Sequence, residues 1–182
     1  MYIISPLMQT RLPEKFNVWK LGTTRCRWQG TLSLAQMPRL TSLLSATQGS
    51  VAVELETGVD EQNIRFIAGH LEVTVEMICQ RCMVPMHLPI VADLRLGALP
   101  SEARLDELPE DYEPLLVPEG EVRIADLVED ELILALPLVP KHQHLRQCEA
   151  NGFEWPGQPQ PPEKTNPFTN LASLLDDLKK EQ

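Results

Sequence analysis

Two stretches of the chain alternate apolar and polar residues at the period of a half-buried strand. Val51, Val53 and Leu55 alternate with Ala52, Glu54 and Glu56, and Leu71, Val73, Val75 and Met77 alternate with Glu72, Thr74 and Glu76. Ile64 to Ala68 is shorter and β-rich, and Gly58 to Asn63 and Gly69-His70 supply turn residues. The pattern predicts three antiparallel strands in a meander that runs directly into Cys79. A further strand, from about Met86 to Leu96, returns the chain from Cys82, so Cys79-Gln-Arg-Cys82 falls at a hairpin tip.

The spacing switches to threes and fours elsewhere. Leu34, Met37, Leu40, Leu43 and Leu44 predict a helix that Pro38 either opens or kinks. Ile124, Leu127, Val128 and Leu132, with Ala135 or Leu136, predict an amphipathic helix that Pro137 stops, with Glu129, Asp130 and Glu131 largely outside. Residues before about Gly30 read as irregular chain leading into a strand. Residues 101 to 121, acidic and broken by Pro109, Pro114 and Pro118, read as a long surface loop.

Gly152 to Pro162 holds four prolines and two glycines and reads as a linker; beyond it Phe168, Leu171, Leu174, Leu175 and Leu178 line one face of a last helix. The expected fold is α+β: an antiparallel meander of about four to five strands with flanking helices, and an extended C-terminal tail ending in a helix. Residues 1–150 form a single domain with a basic N-terminal region, and 151–182 form the linker and amphipathic tail. A chain of 182 residues is long enough for one well-buried core.

Charge changes the picture of partners. The net charge of -10 divides into +5 over residues 1–50, -4 over 51–100, -10 over 101–131 and -1 over the rest. The basic residues Arg11, Lys15, Lys20, Arg25, Arg27 and Arg39 lie near Phe16, Trp19 and Trp28 in sequence. Such a set suits RNA, with cations on phosphate and Trp19 and Trp28 stacked on unpaired bases. The plainer alternative is that the tryptophans are core and the charges a solvated face. The acidic stretch suits a basic protein partner, or simply solubility. No apolar run approaches the ~18 residues of a membrane helix, and Met1 to Pro6 is too short for a signal peptide, so a cytoplasmic protein with no membrane partner is expected.

Three of the four cysteines and one histidine fall into two short clusters, Cys79/Cys82 and His142/Cys148, with Cys26 apart. Three thiolates and one imidazole close a tetrahedron around zinc and leave no position open for substrate, so such a site is structural. Arg81 between the first pair favours thiolate formation by its charge. A redox dithiol and plain buried cysteines are the competing readings. No catalytic triad, phosphate-binding glycine loop or paired carboxylates in a defined pocket is present, and the chain is not expected to be an enzyme.

Taken together, Val128 to His142 with Cys148, Cys79-Gln-Arg-Cys82, Asn166-Pro-Phe168 with Leu171-Ala-Ser-Leu174, and Pro109-Glu-Asp-Tyr-Glu-Pro114 resemble the YceD family, bacterial large ribosomal RNA subunit accumulation proteins. The resemblance covers roughly residues 20 to 180. It implies a role in the synthesis, processing or stability of 23S rRNA, with large-subunit rRNA or a precursor particle as partner, and brings no catalytic residues. The His142 to Cys148 gap is a residue longer than the family pattern and contains His144, so either imidazole is open as the ligand.

Overall fold

A computed structural model describes residues 9–22 and 24–154; the expected last helix and most of the expected linker lie outside the described residues. The two alternating segments pair directly with each other, where a separate strand over 64–68 was expected between them, because residues 65–78 run as one strand. Strands β3 (Cys26–Ser33), β4 (Ser50–Val59), β5 (Arg65–Ile78) and β6 (Pro85–Leu99) form an antiparallel meander. Two edge strands join in parallel, β1 (Gln9–Arg11) on β3 and β7 (Glu113–Leu116) on β6, to complete a mixed six-stranded sheet. A small second sheet pairs β2 (Lys15–Asn17) with β8 (Glu121–Arg123).

One face of the large sheet carries the core. Val51, Val53 and Leu55, then Leu71, Val73 and Val75, then Ile90, Leu94 and Leu96 are buried there. Helix α2 (Ile124–Ala135) covers them with Ile124, Leu127, Val128 and Leu132, the stripe that the spacing predicts. Each of these side chains contributes about 1.5–3 kcal/mol on burial. The opposite face is polar, with rows such as Arg27, Glu56, Ala68 and Arg95 across four strands. Among the described residues no helix is long and apolar enough to cross a membrane.

Four local expectations are corrected. The helix expected over 34–44 is two short turns, a 3-10 turn at Leu34–Gln36 and α1 at Pro38–Thr41. The proline disfavours helical backbone at Met37, which sits at φ -122°, ψ 74°, so the helix restarts at Pro38 with Leu34, Met37 and Leu40 buried. Gly69-His70 is no turn, since β5 runs through it. A Cβ at Gly69 would lie 2.4 Å from Leu55 Cδ2 and 2.7 Å from Glu54 O, so the glycine admits a close cross-strand approach. The acidic stretch 101–121 is not all loop, because it holds a 3-10 turn (Glu102–Glu107) and β7. The chain before Gly30, expected to be irregular, contributes β1 and β2.

Gly120, at φ 76°, turns the chain between β7 and β8, and a Cβ there would fall 2.0 Å from Trp19 Cδ1. Gly120→Ala combines left-handed backbone strain with displacement of the indole, and should cost about 2–3 kcal/mol, read as a lower urea midpoint at unchanged slope.

Candidate metal centre and basic surface

The β5–β6 hairpin turns through Cys79 to Val84. The Cys79 N–H donates to Val84 O at 3.0 Å and the Met83 N–H to Cys79 O at 2.8 Å, with Met83 in the left-handed region at φ 58°. This tight knuckle aims the Cys79 and Cys82 sulfurs the same way. The segment after α2 is tied beside it by the Gln80 N–H, which donates to Pro140 O at 2.8 Å. His142 follows, and helix α3 (Leu145–Ala150) presents Cys148 from its inner side. At the start of α3 the His144 N–H donates to Gln147 Oε1 at 3.2 Å and His144 remains exposed, so the imidazole brought to the cysteines is that of His142.

The four ligand atoms of Cys79, Cys82, His142 and Cys148 all lie within 4.8 Å of one another. Cys79 Sγ and Cys148 Sγ are 3.9 Å apart, and His142 Nδ1 is 3.4 Å from Cys82 Sγ and 3.5 Å from Cys148 Sγ. Bonds of about 2.3 Å to sulfur and about 2.0–2.1 Å to nitrogen give a tetrahedron with edges of about 3.8 Å between sulfurs and about 3.5 Å between sulfur and nitrogen. The donor set therefore fits a metal ion in both chemistry and spacing. A disulfide does not describe it, because all the cysteines are free thiols and a disulfide would require S–S of about 2.05 Å.

The surroundings favour thiolate at Cys79. Burial pushes the Cys79 thiol up, yet the backbone N–H groups of Cys82, His142 and Arg81 and the His142 ring outweigh it and hold the thiol at about 5. Burial raises Cys148, and the neighbouring Cys82 and Cys79 raise it further, since anionic sulfurs repel without a cation between them. The Arg81 guanidinium donates to Cys148 Sγ at 3.8 Å. Asn151 Nδ2 approaches Cys82 Sγ at 4.0 Å, so three sulfurs each have a donor at their outer side. Cys79, Cys148 and Met86 form a cluster of their own, separate from the main core.

The basic residues of the first fifty do not gather around exposed tryptophans. Trp28 lies in the core with the Phe16 ring 4.8 Å away. Trp19 is half-buried, donates from Nε1 to Val117 O at 3.0 Å and lies under the Arg65 guanidinium. Lys15 pairs with Glu121 at 3.1 Å, Arg25 and Arg27 share Glu56 at 3.0 and 2.8 Å, and Arg39 is held by Glu129 and Asp130. Arg11 and Lys20 stay exposed, on separate elements. The open sheet face holds a cavity of about 670 Å³ in which Arg25, Arg27 and Arg95 mingle with Glu54, Glu56 and Asp60.

Glu129, expected on the outer face of α2, points inward instead. It accepts from the Arg39 and Leu40 N–H groups at 2.6 and 3.0 Å and from Arg39 Nε at 2.9 Å, closing the start of α1. Sequence spacing held no signal for it, since the α1 donors lie about ninety residues away.

Residues 67–175 match the family of the large ribosomal RNA subunit accumulation protein YceD. The chain is also similar to the large ribosomal RNA subunit accumulation protein YceD of Haemophilus influenzae, with 33% identity over 172 residues that cover 92% of this chain and 98% of that protein. The chain belongs to the YceD family. No solved structure matches it. The region matched to the YceD family begins in β5 and contains all four sulfur and imidazole ligands, so both halves of the candidate metal centre fall within it.

Proposed function

We propose that this chain is a non-catalytic, cytoplasmic ribosome-biogenesis factor that supports the synthesis, processing or stability of 23S rRNA in the large subunit. Its Cys79, Cys82, His142 and Cys148 hold one structural zinc. The name carried by the Haemophilus influenzae relative supports the role in rRNA accumulation, and the observation that carries the zinc reading is the spacing of those four ligand atoms. Four protein ligands leave no coordination site for water or substrate, so the metal supplies rigidity and shape.

The rival reading, an acidic adaptor for a basic ribosomal protein, draws on the twelve carboxylates of residues 101–131. Five of them, Glu107, Glu121, Asp126, Glu129 and Asp130, already pair with the protein's own Arg104, Lys15, Arg123 and Arg39. That leaves less free charge for a basic partner and favours the rRNA reading.

Cells lacking the protein should show fewer mature large subunits relative to small ones on sucrose gradients. Wild-type protein should sediment with large-subunit precursors and lose that association on RNase treatment. An unchanged subunit ratio would overturn the role in large-subunit accumulation, and a stable RNA-free complex with a basic ribosomal protein would move the assignment to the adaptor.

A further inference from the structure

Apart from residues 15–53, the two longest segments of this acidic chain without a carboxylate are residues 78–92 and 132–148. Their only full charges are Arg81, Lys141 and Arg146, accompanied by His87, His142 and His144. The fold brings the two segments together. The Gln80 N–H to Pro140 O bond and the ligand cluster join the hairpin knuckle to the chain on either side of His142. One end of a protein of net charge -10 is thus locally basic.

The cations at this end differ from most others in the molecule. Lys15, Arg25, Arg27, Arg39, Arg104 and Arg123 are all held by carboxylates. Lys141 and Arg146 are exposed and make no ion pair among the described residues, and Arg81 reaches only sulfur. Around them stand solvent-facing apolar side chains: Met83 at the knuckle tip, Leu138 and Val139 just before the ligand histidine, and Leu145 on α3, with Leu138 wholly exposed. Unpaired cations interleaved with exposed aliphatic groups on a rigid loop frame suit a flexible polyanion that also presents flat apolar surfaces, namely unpaired RNA.

We propose that the surface around the metal centre, with Lys141 and Arg146 on phosphate and Met83, Leu138 and Val139 against unstacked bases, is the RNA-contacting surface of this protein. This rests on the rRNA role proposed above and deepens it by naming where the RNA lies. The metal serves the contact by fixing the knuckle and the 137–148 segment in one arrangement before the RNA arrives, which lowers the ordering cost of binding. The acidic segment 101–131, at -10, repels phosphate.

The test is fluorescence anisotropy of the full-length, zinc-loaded protein with labelled single-stranded segments tiled across 23S rRNA, titrated over a range of salt. The double variant Lys141→Glu/Arg146→Glu should lose about tenfold or more in affinity and flatten the log–log salt slope by about 1.4, as two lost phosphate contacts require. Its zinc content and thermal midpoint should match wild type, because neither side chain is a ligand or buried. Leu138→Ser/Val139→Ser should weaken binding with the salt slope unchanged. Arg25→Glu/Arg27→Glu, on the open sheet face, should leave binding intact.

Should the sheet-face variant lose binding while Lys141→Glu/Arg146→Glu keeps it, the surface is misplaced and the rRNA role stands. Failure of wild type to bind any segment, or preferential binding of an acidic protein through Lys141 and Arg146, would overturn this inference. The subunit ratio in cells lacking the protein would still report separately on the rRNA role.

Discussion

Replacing Cys79 by Ser is expected to release the zinc, open the metal end of the molecule and deplete the protein in cells. Structural zinc in small sites contributes on the order of 10 kcal/mol of apparent free energy near neutral pH, as much as the whole stability of a typical domain. Here the loss should be local first. The cluster of Cys79, Met86 and Cys148 is separate from the main core, and 137–154 is joined to the sheet chiefly through the ligands and the Gln80 to Pro140 bond.

Hydrogen exchange should therefore show protection lost at 79–84 and 137–154 while β3 to β6 stay protected. Elemental analysis should find about one zinc per wild-type chain, the stoichiometry of a single four-ligand site, and far less in the variant. The opened segment exposes the chain to proteolysis, so low abundance should accompany any failure to restore large subunits. A variant present at normal level, fully folded and still unable to support large-subunit accumulation would mean that the cysteines act directly, and the non-catalytic reading would fall. Metal-free protein with undiminished stability would likewise overturn the zinc assignment.

Glu129→Ala should be the most damaging single change away from the metal. The carboxylate is 3% exposed and accepts two backbone bonds from α1 as well as the Arg39 guanidinium. Its removal leaves the Arg39 and Leu40 N–H groups without their acceptor and opens a gap between α1 and α2. The Arg39 guanidinium is half exposed, so the cost comes from the two orphaned N–H groups at about 1–3 kcal/mol each, on the order of 10 °C in Tm for a domain of this size. Burial pushes the Glu129 carboxyl up, but the Leu40 and Arg39 N–H groups and the Arg39 side chain outweigh it and hold it below the usual 4.5.

A depressed folded-state value means that the native protein favours the ionised form more than the unfolded chain does. The stability from Glu129 is then complete above the unfolded value and is lost as pH falls through the folded one. Denaturation midpoints of wild type and Glu129→Ala should differ fully near neutral pH and converge below about 4.5. A constant difference down to pH 3 would show that the carboxylate's charge is not what holds α1.

Periodicity made the meander legible, because alternation reports directly which side chains a strand buries, and Val51 to Leu55 and Leu71 to Met77 are buried on one face as their spacing requires. The same local logic gave the span of α2 and the hairpin position of Cys79 and Cys82. The residue types of the candidate metal centre were also legible, since three cysteines and a histidine in two clusters supply the donors of a tetrahedral site.

Other features depended on partners far away in the chain. Gly69 reads locally as a turn and is a strand residue only because Leu55 crosses over it. The parallel edges β1 and β7 depend on the meander being there to receive them. His142 was separated from His144 by the knuckle's contact with Pro140 and by the bond from His144 N–H to Gln147. Glu129 reads as one of three outward acids until α1 arrives with unsatisfied N–H groups. The basic first fifty residues are mostly neutralised by carboxylates from β4, β8 and α2, whereas Lys141 and Arg146 are not. By itself, the sequence determined the apolar stripes of the strands and of α2, because those are set within a few residues; the tertiary structure decided which polar groups are buried and which meet, because hydrogen bonds and ion pairs form between elements brought together across the chain.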